Sequence, residues 1–235
     1  GEPGVISRLP LLSAAQCDEI VATLDRLNWA DGLAPGKLYR ERVKGNKEIA
    51  YQMSPQTAPA DELIKQINDA IMGSSHIRTR MFPKSMVNPR FNLYCDGGFY
   101  GPHADSAFLG DNRRQVRTDY SMTLFLTEPD SYVGGELRLT YPSGEEMRLK
   151  EPKGTLLFYP SGVMHEVLPV TAGRRIAFVG WVESHIQSQQ ERDLLTEITT
   201  LCDDMMADES LALTEFHTRA LNVKHNLYRM WWKGQ

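Results

Sequence analysis

His103 and Asp105 stand two positions apart in "YGPHADSAF", behind a glycine-rich approach, "CDGGFYGP". On an extended chain residues i and i+2 point to one face, so a His-x-Asp pair can offer an imidazole and a carboxylate to a single ion. The pair alone is weak: 6 His and 30 Asp plus Glu in 235 residues produce such spacings by chance, and a hydrogen-bonded turn is the default. Two later residues raise its weight. His165 follows a Pro-Ser-Gly turn in "FYPSGVMHEVLPV", and Arg175 comes ten residues on, in "GRRIAFVGW". If the two flank one hairpin, both can look inward from adjacent strands. Two imidazoles and one carboxylate leave three metal positions open, as in non-haem Fe(II) oxygenases. An inward guanidinium adds a bidentate anchor for a carboxylate. 2-Oxoglutarate has the chemistry to chelate iron at one end and reach that arginine at the other.

These residues need a scaffold, and the patterning supplies one. From about Asn88 to Glu183 run short β-type segments, among them "RFNLYC", "DYSMTLFLT", "ELRLTY", "GTLLFYP" and "RRIAFVGWV", separated by turns such as "PDSYVGG", "PSGE" and "PKG". Tyr120, Met122, Leu124 and Leu126 alternate, as do Leu137, Leu139 and Tyr141. Such spacing predicts a sandwich or barrel of the jelly-roll kind. Before it, Ser13 and Gln16 form a capping box ahead of Cys17, Ile20, Val21, Leu24 and Leu27. A second helix is predicted from Pro59, with Leu63, Ile64, Ile67 and Ile71 on its apolar face and Gly73 as its stop. After the strands, Leu194, Leu195, Ile198, Leu201, Cys202 and Met205 predict one helix. A last one is predicted from Asp208, with Leu213, Phe216, Ala220, Leu227 and Trp231 on one side. The fold class is α+β: a double-stranded β-helix, or jelly roll, with helices packed around it at both ends of the sequence. One domain is expected, divided into 1–87 (helices and a lid), 88–183 (catalytic core) and 184–235 (helices).

Composition sets the bounds. A hydrophobic fraction of 41% and a charged fraction of 24% are ordinary for a globular chain, and 235 residues suffice for a full core. A net charge of −4 gives no case for nucleic acid or a membrane surface, and no run is apolar enough to span a bilayer. The opening "GEPG" begins without methionine and carries no structural weight, and no segment reads as a signal peptide. Cys17, Cys95 and Cys202 lie far apart, which suits a reducing cytoplasm.

The chain resembles the Fe(II)/2-oxoglutarate-dependent dioxygenases, specifically the PKHD-type hydroxylases, relatives of the prolyl 4-hydroxylases. The matching stretches are "YGPHADSA", "RTDYSMTLFLTEPDSYVGGELRL", "GTLLFYPSGVMHEVLPVTAGRRIAFVGWVES", the closing "HNLYRMWW" and the lid segment "VKGNKEI". The resemblance implies that His103, Asp105 and His165 bind iron and that Arg175 holds the far carboxylate of 2-oxoglutarate. It implies that Tyr94 donates to the same carboxylate, that O2 is consumed with release of succinate and CO2, and that ascorbate stimulates. An unactivated C–H bond is hydroxylated, of a prolyl or other amino-acid residue, free or in a peptide or protein. Retention of Asp105 implies hydroxylation rather than halogenation. Ser106, Glu48 and Gly180 depart from the family pattern, which directs attention to the substrate side.

Lys37, Arg40, Arg42, Lys44 and Lys47 make residues 31–58 locally basic, and Arg113, Arg114 and Arg117 follow the candidate ligands. Together they suggest a mouth for an anionic substrate, with Lys44, Asn46, Ser106 and Arg117 as candidate lid or substrate contacts. His76, His185, His217 and His225 lack partners and read as structural or surface. The final "YRMWW" reads as packing, in a monomer or a homodimer. The rival from another class is a cupin-like metal-binding jelly roll that does not use 2-oxoglutarate; Arg175 discriminates against it.

Overall fold

The computed structural model describes residues 6–32, 44–110 and 115–234. Ser13 caps α1 (Ala14–Leu24): its hydroxyl accepts from the Gln16 N–H at 3.2 Å while the Gln16 side chain accepts from the Ser13 N–H at 2.8 Å. The capping box therefore forms as the sequence predicts, and Cys17, Ile20 and Leu24 turn inward. α2 (Ala58–Gly73) has its proline in the first turn and buries Ala60, Ile64, Ile67 and Ile71; the single turn α3 (Ser75–Arg78) follows.

The strands build two facing sheets with antiparallel pairing. The larger runs β1 (Ser7–Pro10), β12 (Thr155–Pro160), β8 (Tyr120–Phe125), β15 (Arg175–Ser184), β4 (Pro83–Tyr94), β3 (Lys47–Ala50) and β2 (Ala30–Asp31). The smaller runs β11 (Glu146–Leu149), β10 (Leu137–Thr140), β13 (Met164–Val167) and β5 (Tyr100–His103). Two ribbons complete the β structure: β9 (Tyr132–Gly134) with β14 (Val170–Gly173), and β6 (Phe108–Gly110) with β7 (Gln115–Arg117). This is the jelly roll expected from the turn spacing.

β8 shows why the larger sheet is a partition. Its six residues are all buried. Tyr120, Met122 and Leu124 join Ile64, Ile67, Phe91 and Phe178 in the core beneath α1 and α2, whereas Phe125 joins Leu137, Leu139, Leu157 and Val167 in the core between the sheets. The apolar alternation was visible in the sequence; that the intervening Ser121 and Thr123 are also buried was not. α4 (Gln189–Ala207) and α5 (Glu215–Trp231) close the fold, with Leu195, Ile198, Leu227 and Trp231 packed on Phe82 and Ile186. Arg192 fastens them to the sheet. It donates to the Tyr120 hydroxyl at 3.0 Å and to the carbonyls of Ile186 and Gln187 at 2.7 and 3.0 Å. No described helix is long and apolar enough to cross a membrane.

Three expectations are corrected. The 31–58 segment is not all lid: β3 extends the larger sheet by pairing with β4, while Lys37, Arg40 and Arg42 lie outside the described residues. The last helix begins at Glu215, not Asp208. Leu213 adopts φ +58°, which an α-helix does not accommodate, and the Thr214 hydroxyl caps the helix from the His217 N–H at 3.3 Å. Leu213 and Phe216 are accordingly exposed, and Leu194 and Leu201 are half exposed, because the apolar stripe is wider than the face the sheet covers. Finally, His165 and Arg175 do not sit on paired strands. β13 belongs to the smaller sheet and β15 to the larger, so the two face one cavity from opposite sides.

Candidate active site

Between the sheets lies a cavity of about 520 Å³ whose wall includes His103, Asp105, His165, Tyr94 and Arg175. β5 and β13 pair with His103 directly opposite His165, and the chain leaving β5 carries Asp105 back toward both. The Asp105 N–H donates to the Ser161 carbonyl at 3.3 Å, which holds that return. The Nε2 atoms of His103 and His165 lie 3.7 and 3.6 Å from the Asp105 carboxylate oxygens, and the three donor atoms fall within 4.8 Å of one another. Each Nδ1–H is used by a backbone carbonyl, Gly101 at 2.8 Å and Val163 at 2.9 Å. A carbonyl only accepts, so Nδ1 carries the proton and Nε2 presents a lone pair to the cavity, as a metal-binding imidazole requires. Burial, and next the neighbouring His165, hold the His103 imidazole below its ordinary pKa, which favours the neutral, ligating form. Tyr100 stacks on His103 with ring centroids 3.8 Å apart, and Tyr159 meets His165 edge-on at 5.3 Å.

A second layer, unmarked by any periodic pattern in the chain, holds Asp105. Ser121, on the cavity-facing side of β8, donates to Asp105 Oδ2 at 2.5 Å and lies 2.9 Å from the Ser161 hydroxyl. One hydroxyl has one proton, and the carboxylate is the nearer and stronger acceptor, so the Ser121 proton goes to Asp105. With Oδ2 engaged, Oδ1 is the less encumbered oxygen for an ion. Serines inside an apolar strand carry no periodic signal; the alternation of β8 gave only the face they occupy.

The deep end of the cavity belongs to Arg175. It lies opposite Tyr94 in the β15–β4 register, is 1% exposed, and is flanked by the rings of Tyr94 and Phe125 at 5.2 and 5.3 Å. Arg90, Arg117 and Arg192 each face an acid. Arg175 faces none among the described residues, and its Nε has no hydrogen-bond partner. Burying a guanidinium without a counter-charge costs several kcal/mol, on the order of the penalty for any uncompensated buried ion, so an anionic ligand is the missing partner. Gly135, at φ +71°, makes room for it: a Cβ there would lie 3.0 Å from Arg175 Cδ and 2.8 Å from Val170 Cγ2. Burial raises the Tyr94 hydroxyl well above its ordinary pKa, so it stays protonated and able to donate.

The other predicted contacts divide. Lys44 and Ser106 line the cavity. Lys44 forms a bridge to Tyr100, pairs with Glu48 and lies 5.0 Å over the Tyr100 ring. Asn46 is buried behind this wall and donates to Glu48 at 3.2 Å. Arg117 is not at the mouth: it donates to Asp119 at 2.8 Å and to the Ser184 carbonyl at 2.8 Å, stapling β7 to β15. Asp119 sits two residues along the same turn and captures the guanidinium. Arg113 and Arg114 lie outside the described residues. Arg90 and Trp181, which the sequence did not single out, are cavity residues.

Comparison with known proteins agrees with this geometry. Residues 89–183 match the family described as the 2OG-Fe(II) oxygenase superfamily. A PKHD-type hydroxylase of Acidovorax ebreus (strain TPSY) is 34% identical over 232 residues, covering 97% of this chain and 98% of the relative. This chain belongs to the PKHD-type hydroxylases. The enzyme is therefore an Fe(II)/2-oxoglutarate-dependent hydroxylase, which decides against the cupin-like alternative. Solved structures share its fold. A Pseudomonas putida prolyl-4-hydroxylase superposes with a TM-score of 0.56 at 22% identity, covering 78% of this chain and 94% of that one. A Trichoplax adhaerens prolyl hydroxylase in complex with a hypoxia inducible factor oxygen degradation domain peptide fragment gives 0.55 at 18%, covering 80% and 86%. The residues present fit both groups the family uses: two imidazoles and a carboxylate for Fe(II), and a buried guanidinium that faces no acid among the described residues for the cosubstrate's far carboxylate.

Proposed function

We propose that His103, Asp105 and His165 hold Fe(II), that Arg175 and Tyr94 hold the distal carboxylate of 2-oxoglutarate, and that the whole chain acts as one dioxygenase domain. The substrate is a prolyl or other amino-acid residue, free or in a peptide, and carries negative charge. The observation that carries the reading is the buried Arg175, which faces no acid among the described residues, in the same cavity as the His-Asp-His cluster. When bound, iron and 2-oxoglutarate supply the oxidative decarboxylation that puts one oxygen of O2 into a C–H bond and the other into succinate, with loss of CO2.

The protein's own residues do the rest. Gly101 and Val163 carbonyls fix both imidazoles and Ser121 orients Asp105, so that the three donors would hold Fe(II) and leave its remaining positions to cosubstrate and O2. Arg175 and the Tyr94 hydroxyl set the cosubstrate's register by its far end. Leu137, Val167 and Val179 give the cavity dry walls. The test is succinate release from 2-oxoglutarate with Fe(II) across an amino-acid and peptide panel. Succinate should form with wild type and fall to background with His165→Ala; equal output from the two proteins would sink the assignment.

A further inference from the structure

The helical pair at the carboxyl end is only half used by the fold. Leu195, Ile198, Leu227 and Trp231 pack on Phe82 and Ile186, yet beside Ile198 and Leu227 each helix carries a second, exposed apolar row. On α4 it is Leu194 and Leu201, four residues before Ile198 and three after it. On α5 it is Val223 and Met230, in the same relation to Leu227, with Phe216 seven residues before Val223. Residues three and four apart share a helix face, so both rows run alongside the packed residues rather than on the far side. Phe216 and Met230 are 68% and 65% exposed, and Leu194, Leu201 and Val223 are about half exposed. Seven-residue intervals on two neighbouring helices are the spacing by which further helices pack along them.

Charge is divided between the same two helices. α4 carries Glu191, Asp193, Glu197, Asp203 and Asp204, and its one base, Arg192, is buried in the fold. α5 carries Arg219, Lys224 and Arg229 against the single acid Glu215. The positions three after each exposed apolar residue repeat the division. They are Glu197 and Asp204 on the α4 row, and Arg219, Asn226 and Lys233 on the α5 row. Thr199 faces Tyr228 and Cys202 faces Lys224, so the two helices run antiparallel. A two-fold axis parallel to the pair would lay α4 of one copy over α5 of the other, acidic flank on basic flank, twice. Rotation about that axis leaves height unchanged, so Leu201 of one copy meets the level of Val223 of the other, and Leu194 that of Met230. An axis across the pair would instead set α4 on α4 and acid on acid.

We propose that this face joins two copies of the chain in an isologous four-helix interface, α4 of each against α5 of the other. The occupant is a second copy because the face is complementary to itself: it carries both charge signs, segregated so that one two-fold satisfies both. The association does not depend on the cavity, which no residue of either row lines.

The test is the mass of the full chain by light scattering and sedimentation equilibrium across micromolar to submillimolar concentrations. Wild type should show twice the 26.6 kDa of one chain. Phe216→Lys with Met230→Lys should raise the dissociation constant about 100-fold or more, by placing charge in the centre of the seam. Glu197→Lys with Asp204→Lys should raise it about tenfold or more, and so should Arg219→Glu with Lys233→Glu. Mixing these last two proteins should restore a dimer containing one chain of each. Circular dichroism reads whether each variant keeps its helices, and the mixture reports on the interface even if the double lysine variant does not fold. A single-chain mass for wild type throughout the range would overturn the proposal. So would a dimer that all three variants leave unchanged, or charge-reversed proteins that do not recombine.

Discussion

The two ends of the cavity handle positive charge in opposite ways. At the deep end Arg175 is buried between two aromatic rings with no acid beside it among the described residues. At the outer wall Arg90 has its own counter-ion, Glu48, which Lys44 also shares. A buried cation without an internal partner is costly, so the deep end is committed to an anion from outside. A cation already paired needs no ligand to be tolerated, and whatever binds there competes with or supplements Glu48. The deep end therefore suits an obligatory cosubstrate. The outer wall suits a substrate whose identity is adjustable by changing one acid or one base. Glu48, Ser106 and Gly180, where the sequence reading expects departures from the family pattern, all line the cavity.

The comparison breaks first, and hardest, at Arg175. Arg175→Gln should weaken 2-oxoglutarate binding by on the order of 100- to 1000-fold, the usual cost of truncating a buried charge partner. Calorimetry on the Mn(II)-loaded enzyme reads this directly. A loss under fivefold would mean the deep end is not the cosubstrate anchor. Between the two ends, Ser121→Ala removes the hydroxyl that holds Asp105. Mn(II) affinity should fall roughly 10- to 100-fold by titration, the range for a residue supporting a metal ligand, and Ser121→Thr should recover most of it. Unchanged affinity in the alanine variant would make the serine pair a packing feature.

The smallest effect should come from the compensated end. Glu48→Gln should cost about 1–2 kcal/mol of stability at pH 7, since it weakens charge-assisted hydrogen bonds without emptying the site. The pH dependence has a fixed sign. The Glu48 pKa in the folded protein lies below the ordinary 4.5, so its ionised form contributes fully above that value and the contribution disappears as pH falls through the depressed pKa. The stability gap between wild type and Glu48→Gln, measured by denaturant melts, should be flat from pH 6 to 8 and close in acid. A gap that widened in acid would contradict an ionised, ion-paired Glu48.

How much of this was legible in the chain varies by residue. The helix cap at Ser13, the proline-led α2 and the alternation of β8 are local effects, and each formed where the sequence put it. The last helix was misread by seven residues because Leu213 and Phe216 fit an apolar spacing that no surface meets. Arg117 was misread because its charge was visible while its capture by Asp119 depended on how the turn after β7 folds. Ser121, Arg90 and Trp181 were missed because their roles depend on which sheet faces which.

The residue types and spacing of His103, Asp105, His165 and Arg175 pointed by themselves to a metal site with an anion anchor, because few donor sets offer two imidazoles, a carboxylate and a guanidinium. Only the tertiary structure decided how they meet. β13 and β15 lie in opposite sheets, so His165 and Arg175 face each other across a cavity rather than along a hairpin. That separation is what leaves a cavity between the His-Asp-His cluster and Arg175. It follows from sheet pairing between strands far apart in sequence, which no local pattern encodes.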